Sequence, residues 1–330
     1  MTQTATPPST TPPSTTNPER KNPLANLDWR RYVIYIGFAV VFLFFAITLG
    51  DDGFLTGNNL LNIVRQTATV TIIAVGMTYV IAAAQIDLSV GATAGLASVV
   101  TAMTIANYGV FLGILAGLAV GVVVGSVNGA LVAMLKIPSF LVTLGMLGIA
   151  AGVAQWITKS APQPILSDLY NKVFGSGDIG PIPGLIVWMI IVVVIGAIVL
   201  AKTRFGRQVL ATGGNPIAAK FTGINTTSIT FRVLLISALL AALAGMLYAG
   251  QLQSGRYQWG NGDELSAIAA VILGGTSLFG GSGTVVGTLF GALLIGLINN
   301  GLILAGLDTS QQQVVRGVII ILAVALARRK

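Results

Sequence analysis

The sequence predicts an all-α integral membrane protein: a polytopic bundle of about ten transmembrane helices, some of them broken, with one short cytoplasmic helix between two spans. Three observations carry this. The 330 residues are 54% hydrophobic and only 8% charged, with a mean hydropathy of +0.86, whereas an ordinary soluble domain carries roughly 25% charged residues. Apolar windows long enough to cross a bilayer recur along most of the chain. Clusters of basic residues fall on alternate connections, as they do on the cytoplasmic side of a membrane.

Composition also excludes several chemistries. The chain has no cysteine and no histidine, which removes disulfides, thiol chemistry, zinc sites and histidine proton relays. No catalytic constellation and no metal-ligand cluster is visible. The net charge of +8 is dispersed among apolar spans instead of forming one soluble patch, so membrane topology explains it better than nucleic acid does.

Residues 1–28 are rich in Thr, Pro, Ser and Asn and have no apolar face. They read as a disordered cytoplasmic leader, with the transmembrane domain at 29–330. Arg30 and Arg31 precede the first apolar span, and the chain runs from Leu49 into Asp51 and Asp52 without a small-residue cleavage site. This is an uncleaved first helix with its amino end in the cytoplasm. Spans then begin near Tyr32, Asn59, Val90, Val110, Pro138, Pro183, Phe231, Glu264, Thr284 and Gln311. An even count puts both termini on the cytoplasmic side of the cytoplasmic membrane.

The charges agree with that count. Arg20, Lys21, Arg30 and Arg31, then Lys136, then the basic residues of 202–232, then Arg328, Arg329 and Lys330 all fall on one side. Asp51, Asp52, Asp168, Asp178, Asp263 and Asp308 fall on or near the other. The longest external connection, about residues 158–183, contains Pro162, Pro164 and the run GSGDIGPIPG. A rigid lid or docking surface and a plain solvated connection are both open for it. No gap-free internal repeat is evident, although Asn128–Gly129 is echoed by Asn300–Gly301, the faint symmetry expected of inverted repeats.

Glycine is abundant, with 41 residues. It clusters in apolar sequence as GGTSLFGGSG at 274–283, followed by Gly287, Gly291 and Gly296. Small residues allow helices to approach closely or to break within the membrane. None of these runs is a phosphate loop: the pattern GxxxxGK[ST] is absent, so no means of hydrolysing ATP is visible on this chain.

Asp87 is the one acid inside a long apolar region, in the run QIDLSVG. A carboxylate is costly in hydrocarbon, so it lines a watery path, pairs with a base, or caps a helix. The span count puts it at the cytoplasmic turn between the second and third spans, where Asp87 and Ser89 would cap the next helix. Arg65, Gln66, Gln85, Asn128, Asn299 and Asn300 are further polar candidates for a translocation path. Hydrogen bonding between helices is the alternative for each.

Residues 202–232 carry five basic side chains and no acid. Within them Asn215 suits an N-cap, Pro216 the first helical position, Ala218 and Ala219 the interior, and Gly223 a left-handed closing position. The result is a helix from Pro216 to Thr222, too short to be stable alone. Ile217, Phe221 and Ile224 form one apolar edge, and Lys220 points elsewhere. Insertion into a groove on a soluble partner and folding back onto the protein's own membrane face are both open.

Four long runs in order resemble the sugar-type permease subunits of bacterial ATP-binding cassette importers, the ribose permease family. They are AVGMTYVIAAAQIDLSVGA at 74–92, KIPSFLVTLGMLGIAAG at 136–152, TRFGRQVLATGGNPIAAKFTGIN at 203–225, and ELSAIAAVILGGTSLFGGSGTVVGTLFGALLIGLINNGL at 264–302. The resemblance covers about residues 59–326. It implies a permease dimer of identical or paralogous subunits, a separate ATPase subunit that holds ATP and magnesium, and an extracytoplasmic sugar-binding protein. It also implies that Gly213, Gly214, Asn215, Pro216, Ile217, Ala218, Ala219, Lys220, Phe221, Gly223 and Ile224 form the coupling helix that enters a cleft on the ATPase. Gln85 stands where relatives usually carry glycine and Ala151 where they often carry arginine. Residues 159–162 replace a glycine-rich turn, and Ile217 replaces an acid. The alternative from another class is an ion-coupled secondary transporter, which would need an ion site near the midplane that only Asp87 begins to offer. A passive channel lacks a filter motif. A membrane scaffold would not need so polar and glycine-broken a bundle.

Overall fold

A computed structural model of the chain describes residues 33–180 and 182–327. The predicted leader lies outside the described residues. The architecture is α-helical. In order the helices are α1 (Val33–Thr48), α2 (Gly57–Ala82), α3 (Val90–Tyr108), α4 (Val110–Ala133), α5 (Ser139–Thr158), α6 (Asp168–Asn171), α7 (Gly184–Lys202), α8 (Arg204–Gly214), α9 (Pro216–Phe221), α10 (Thr226–Gln251), α11 (Asp263–Leu273), α12 (Val285–Leu304) and α13 (Thr309–Ala327). Seven of these, α2, α3, α4, α5, α7, α10 and α12, are long and apolar enough to cross a membrane. The chain is thus a multi-pass membrane protein.

α2 is the centre of the bundle. Every residue from Thr71 to Ala82 is buried, and α7, α10, α11 and α12 pack around it. Several of its threonine and tyrosine hydroxyls are satisfied within the bundle, as a low-dielectric interior requires. Thr67 and Thr71 donate to the carbonyls of Ile63 and Thr67 at 2.6 and 2.8 Å. Thr78 meets Thr288 of α12 at 2.8 Å, and the Tyr79 hydroxyl donates to the Gly196 carbonyl of α7 at 2.5 Å.

A glycine stripe on α4 sets the next contact. Gly117, Gly121, Gly125 and Gly129 recur every fourth residue, so they share one face. That face meets Met246, Ala238, Leu235 and Phe231 of α10. Added β-carbons at Gly121 and Gly125 would stand 3.0 and 2.8 Å from the α-carbons of Leu239 and Leu235. Glycine there lets two helices approach to backbone distance, where packing and not the hydrophobic effect drives association in lipid.

The eighth predicted span differs most from expectation. Before α11, residues 252–262 run down α3: the Gly255, Tyr257, Trp259 and Gly260 backbones lie against Ala102, Gly95 and Gly91. Ser98 of α3 donates to the Arg256 carbonyl at 3.0 Å and accepts from its N–H at 3.2 Å. α11 itself then has only eleven residues and ends at Gly274 and Gly275, the latter at φ +89°. Broken helices were expected, and this one is a run of turns around a two-residue strand followed by a short helix.

The connection between α5 and α7, external in the expected topology, is a packed cap. β1 (Gln163–Pro164) pairs antiparallel with β4 (Ser254–Gly255), and β2 (Asp178–Ile179) with β3 (Ile182–Pro183). Tyr170 is buried, stacks on Phe174 at 4.8 Å and donates to the Met246 carbonyl at 2.9 Å. Phe174 in turn stacks on Trp188 of α7 at 5.5 Å.

Gly125→Ala should lower the stability of the detergent-solubilised chain by about 1–3 kcal/mol, because backbone has to move. Gly37→Ala, on α1 with nothing within 4 Å of an added β-carbon, should leave it unchanged or raise it by the helix-propensity gain. A thermal melt of both variants checks this, and equal midpoints would contradict the packing role of the stripe.

Candidate functional site

Between α7 and α10 the basic segment is divided into three helical steps by three N-caps. Thr203 accepts from the Gly206 N–H at 3.2 Å and opens α8. Asn215 accepts from the N–H groups of Ile217 and Ala218 at 3.1 and 2.9 Å and opens α9, with Pro216 at its first position. Asn225 accepts from the Ser228 N–H at 3.0 Å and opens α10. Such caps satisfy donors that the first turn leaves unpaired. Gly223 is left-handed at φ +85°, and the Gly223 and Ile224 N–H groups return to the carbonyls of Lys220 and Ala219. This closure is the expected one; the helix ends at Phe221, one residue earlier than the spacing suggested.

α9 presents a bare apolar edge. Phe221 is 89% exposed and Ile217 69% exposed, while Ala219 is buried beneath them. Ile224 does not continue the edge. It lies beyond the left-handed Gly223, where the chain reverses, and packs against the core. Gly213 and Gly214 form the last turn of α8, and Gly213 is buried. α8 was not expected as a separate helix, because three glycines dilute its pattern. The Thr203 cap was the available signal. Arg204 and Arg207 are exposed on it, and Phe205 stacks on Tyr79 of α2 at 6.1 Å.

Beside this segment lies the turn of the 274–283 glycine run, which was read for close packing or a helix break and not for a place beside the basic segment. Residues 277–282 close through Ser277 N–H to the Ser282 carbonyl at 3.1 Å and Gly280 N–H to the Ser277 carbonyl at 3.0 Å. Phe279 at its tip is 73% exposed. The turn touches Gly213 and Gly214 through Gly280 and Gly281.

The polar candidates divide into groups. Asp87, Ser89 and Asn128 come together: one Asp87 carboxylate oxygen accepts from the Ser89 N–H at 3.0 Å and hydroxyl at 2.6 Å, and the Ser89 hydroxyl accepts from the Asn128 amide at 3.0 Å. All three are fully buried. Ser237 of α10 faces the same carboxyl beyond hydrogen-bond range. The second Asp87 oxygen, the Asn128 carbonyl and the Ser237 hydroxyl have no partner among the described residues. The run was placed at a surface turn, and the structure instead encloses it. α5 covers the extended backbone, with Ser139 accepting from Ile86 N–H at 3.0 Å and Thr143 from Leu88 N–H at 3.1 Å. Gln85 is partly buried on this stretch.

Asn300 is elsewhere, joined to Asn59 by two reciprocal bonds of 3.0 and 2.8 Å where α2 meets α12. Asn299 beside it is partly buried. Gln66 is exposed, and Arg65 is partly buried with Nε unpartnered. The Asn128 and Asn300 echo therefore joins two different environments. Asp87→Ala would strand the buried Ser89 N–H and should cost about 1–3 kcal/mol, while Asp87→Asn keeps an acceptor and should cost less. Melting of the two purified variants measures the difference; equal losses would remove the acceptor role.

Comparison with known proteins places these elements in a family. The sequence model described as branched-chain amino acid transport system / permease component matches residues 59–324. The chain is 42% identical over 290 residues to the ribose import permease protein RbsC of Bacillus subtilis (strain 168), covering 87% of this chain and 90% of that protein. It is 41% identical to the probable ABC transporter permease protein YphD of Escherichia coli (strain K12), with 89% of each chain covered. It is 34% identical to the autoinducer 2 import system permease protein LsrC of Photorhabdus luminescens, with 86% of each covered. No solved structure matches significantly. The four motif runs all fall inside the matched residues, and the chain belongs to this family of transport-system permease components, whose members include ribose import permeases.

Proposed function

We propose that the chain is the membrane-spanning permease subunit of an ATP-binding cassette importer that carries a monosaccharide or similar small polar sugar across the cytoplasmic membrane. The observation that carries this reading is α9. It is a six-residue helix, capped at both ends, held at the end of two membrane helices, with its two largest apolar side chains bare. Its apolar contacts need a groove on another molecule. The ribose and autoinducer 2 import permeases among its relatives support the sugar reading.

The partners follow. ATP and magnesium are held by a separate ATPase subunit whose cleft takes Ile217 and Phe221. A second permease, identical or paralogous, completes the path. An extracytoplasmic binding protein delivers the sugar to the external cap, where Leu166 is 90% and Leu169 65% exposed. In this topology α1, α11 and α13 join the seven long helices to give ten spans, with both termini cytoplasmic. Asp87, Ser89, Asn128, Gln85, Arg65, Gln66, Asn299 and Asn300 are the polar groups available near the path. ATPase closure moves α9 and switches the path between its outward and inward openings.

Phe221→Asp, or Gly223→Val at its left-handed backbone, should leave membrane insertion intact and cut ATP-driven sugar uptake in proteoliposomes about tenfold or more. Wild-type uptake by both variants would refute the docking role. Uptake by the unaltered assembly that persists without ATP and collapses with an ion gradient would favour the secondary-transporter reading instead.

A further inference from the structure

α9 is joined to the bundle in two ways. Forward along the chain, Asn225 leads into α10. Backward, Gly214 and Gly213 lead into α8, and there three backbones meet. Gly281 N–H donates to the Ala82 carbonyl at 3.0 Å, at the last residue of α2. Gly213 lies over that same carbonyl, so closely that a β-carbon at 213 would collide with it, and would also stand 2.8 Å from Gly281 N. Gly280 and Gly281 are both left-handed, at φ +83° and +80°. A β-carbon at 280 would stand 2.8 Å from the Gly213 carbonyl oxygen and 2.8 Å from the Ala84 β-carbon, and one at 281 would stand 2.7 Å from Gly214 Cα.

The end of α2 is itself locked. Ala84 is left-handed at φ +58°, and the Ala84 and Gln85 N–H groups return to the carbonyls of Ile81 and Val80 at 2.8 and 2.9 Å. That closure uses other carbonyls and leaves Ala82 free to accept from Gly281. At its other end α8 is tied to α2 again, through Phe205 stacked on Tyr79, and Tyr79 is tied to α7 by its hydroxyl. α8 is therefore a bar fixed at both ends across α2, with α9 directly appended. Backbone packed on backbone has no rotamer to relax into, so it transmits displacement where flexible side chains would absorb it.

We infer that Gly213, Ala82 and Gly280–Gly281 form a rigid backbone joint through which a push on α9 enters the bundle. α2, α8, α9 and the 276–284 turn move as one body, and the stroke enters through α2 and α12 in addition to the direct chain path into α10. The central buried helix is the one displaced. Beyond Ala84 the chain runs straight into the buried Asp87 cluster against α4 and α10, so movement of α2 bears directly on the enclosed polar residues. The inference rests on the reading of α9 as the ATPase contact and adds the route of the force.

The natural absence of cysteine permits a direct test. A β-carbon at Gly283 would stand 3.3 Å from the Ala82 β-carbon, close to the ~3.8 Å typical of a disulfide. The Ala82→Cys/Gly283→Cys pair is assembled with its ATPase in proteoliposomes, and ATP-driven sugar uptake is compared after oxidation and after reduction. The joint stays closed through the cycle, so uptake should be the same in both states; uptake lost on oxidation and restored by reductant overturns the inference. Alongside it, Gly213→Ala should lose uptake about tenfold, while Gly37→Ala on α1, with nothing within 4 Å of its added β-carbon, keeps it. Normal uptake by Gly213→Ala also overturns the inference. Should that variant fail to accumulate, the cross-linked pair decides alone. If the unaltered chain neither binds an ATPase nor imports with ATP, the docking reading itself has failed, a result distinct from a cross-link that blocks a working importer.

Discussion

A carbonyl at the end of a membrane helix has no partner within its own helix and no free access to water, so it must find a donor from another segment. At the end of α2 that requirement is met by Gly281, and the carbonyl of Ala82 becomes the meeting point of three stretches far apart in sequence. The rest of this end of the bundle depends on it. The left-handed glycines of 280 and 281, the bare α-carbon of Gly213 and the tight closure at Ala84 are all conditions for that one hydrogen bond and the backbone packed over it. α9, with almost no contact of its own to the bundle, inherits its position from this arrangement.

The same rule governs the two places where helix is abandoned inside the bundle. Residues 83–89 leave the helix: the N–H groups of Ala84 and Gln85 turn back to α2 carbonyls, and those of Ile86, Leu88 and Ser89 are taken by Ser139 and Thr143 of α5 and by the Asp87 carboxylate. Residues 252–262 pass over α3 as a two-residue strand followed by successive turns; Ser98 both donates to and accepts from Arg256, and Gly91 and Gly95 leave room for the passing backbone. Such breaks put polar backbone and polar side chains at depth, next to one another.

How much of this could be read in advance depended on whether the deciding contacts were local. α9 was legible because Asn215, Pro216 and Gly223 act on their own neighbours within a few residues. The turn of Ile224 out of the apolar edge was not, since helical spacing was carried past the residue that ends the helix. The helices beginning near Val90, Val110 and Thr284 were placed almost to the residue by hydrophobic length. α11 was overlong in expectation because Gly274 and Gly275 look like packing glycines until the backbone is seen to turn there. Asp87 looked like a surface cap because its cover comes from α4, α5 and α10, which no local spacing reports. The α4 stripe and the Ala82 joint depend on partners more than a hundred residues away.

The claim on which the account stands is that α9 and the end of α2 form one body that shifts against α4. Its most direct measurement is the distance between spin labels in the assembled transporter, nucleotide-free and then ATP-bound. One pair joins Lys220→Cys on α9 to Ser282→Cys on the adjacent turn, both exposed positions, and a reference pair joins Lys220→Cys to Met134→Cys at the exposed end of α4. The account predicts that ATP shifts the 220–134 distance and leaves the 220–282 distance unchanged. A 220–282 distance that changes on ATP binding would contradict it.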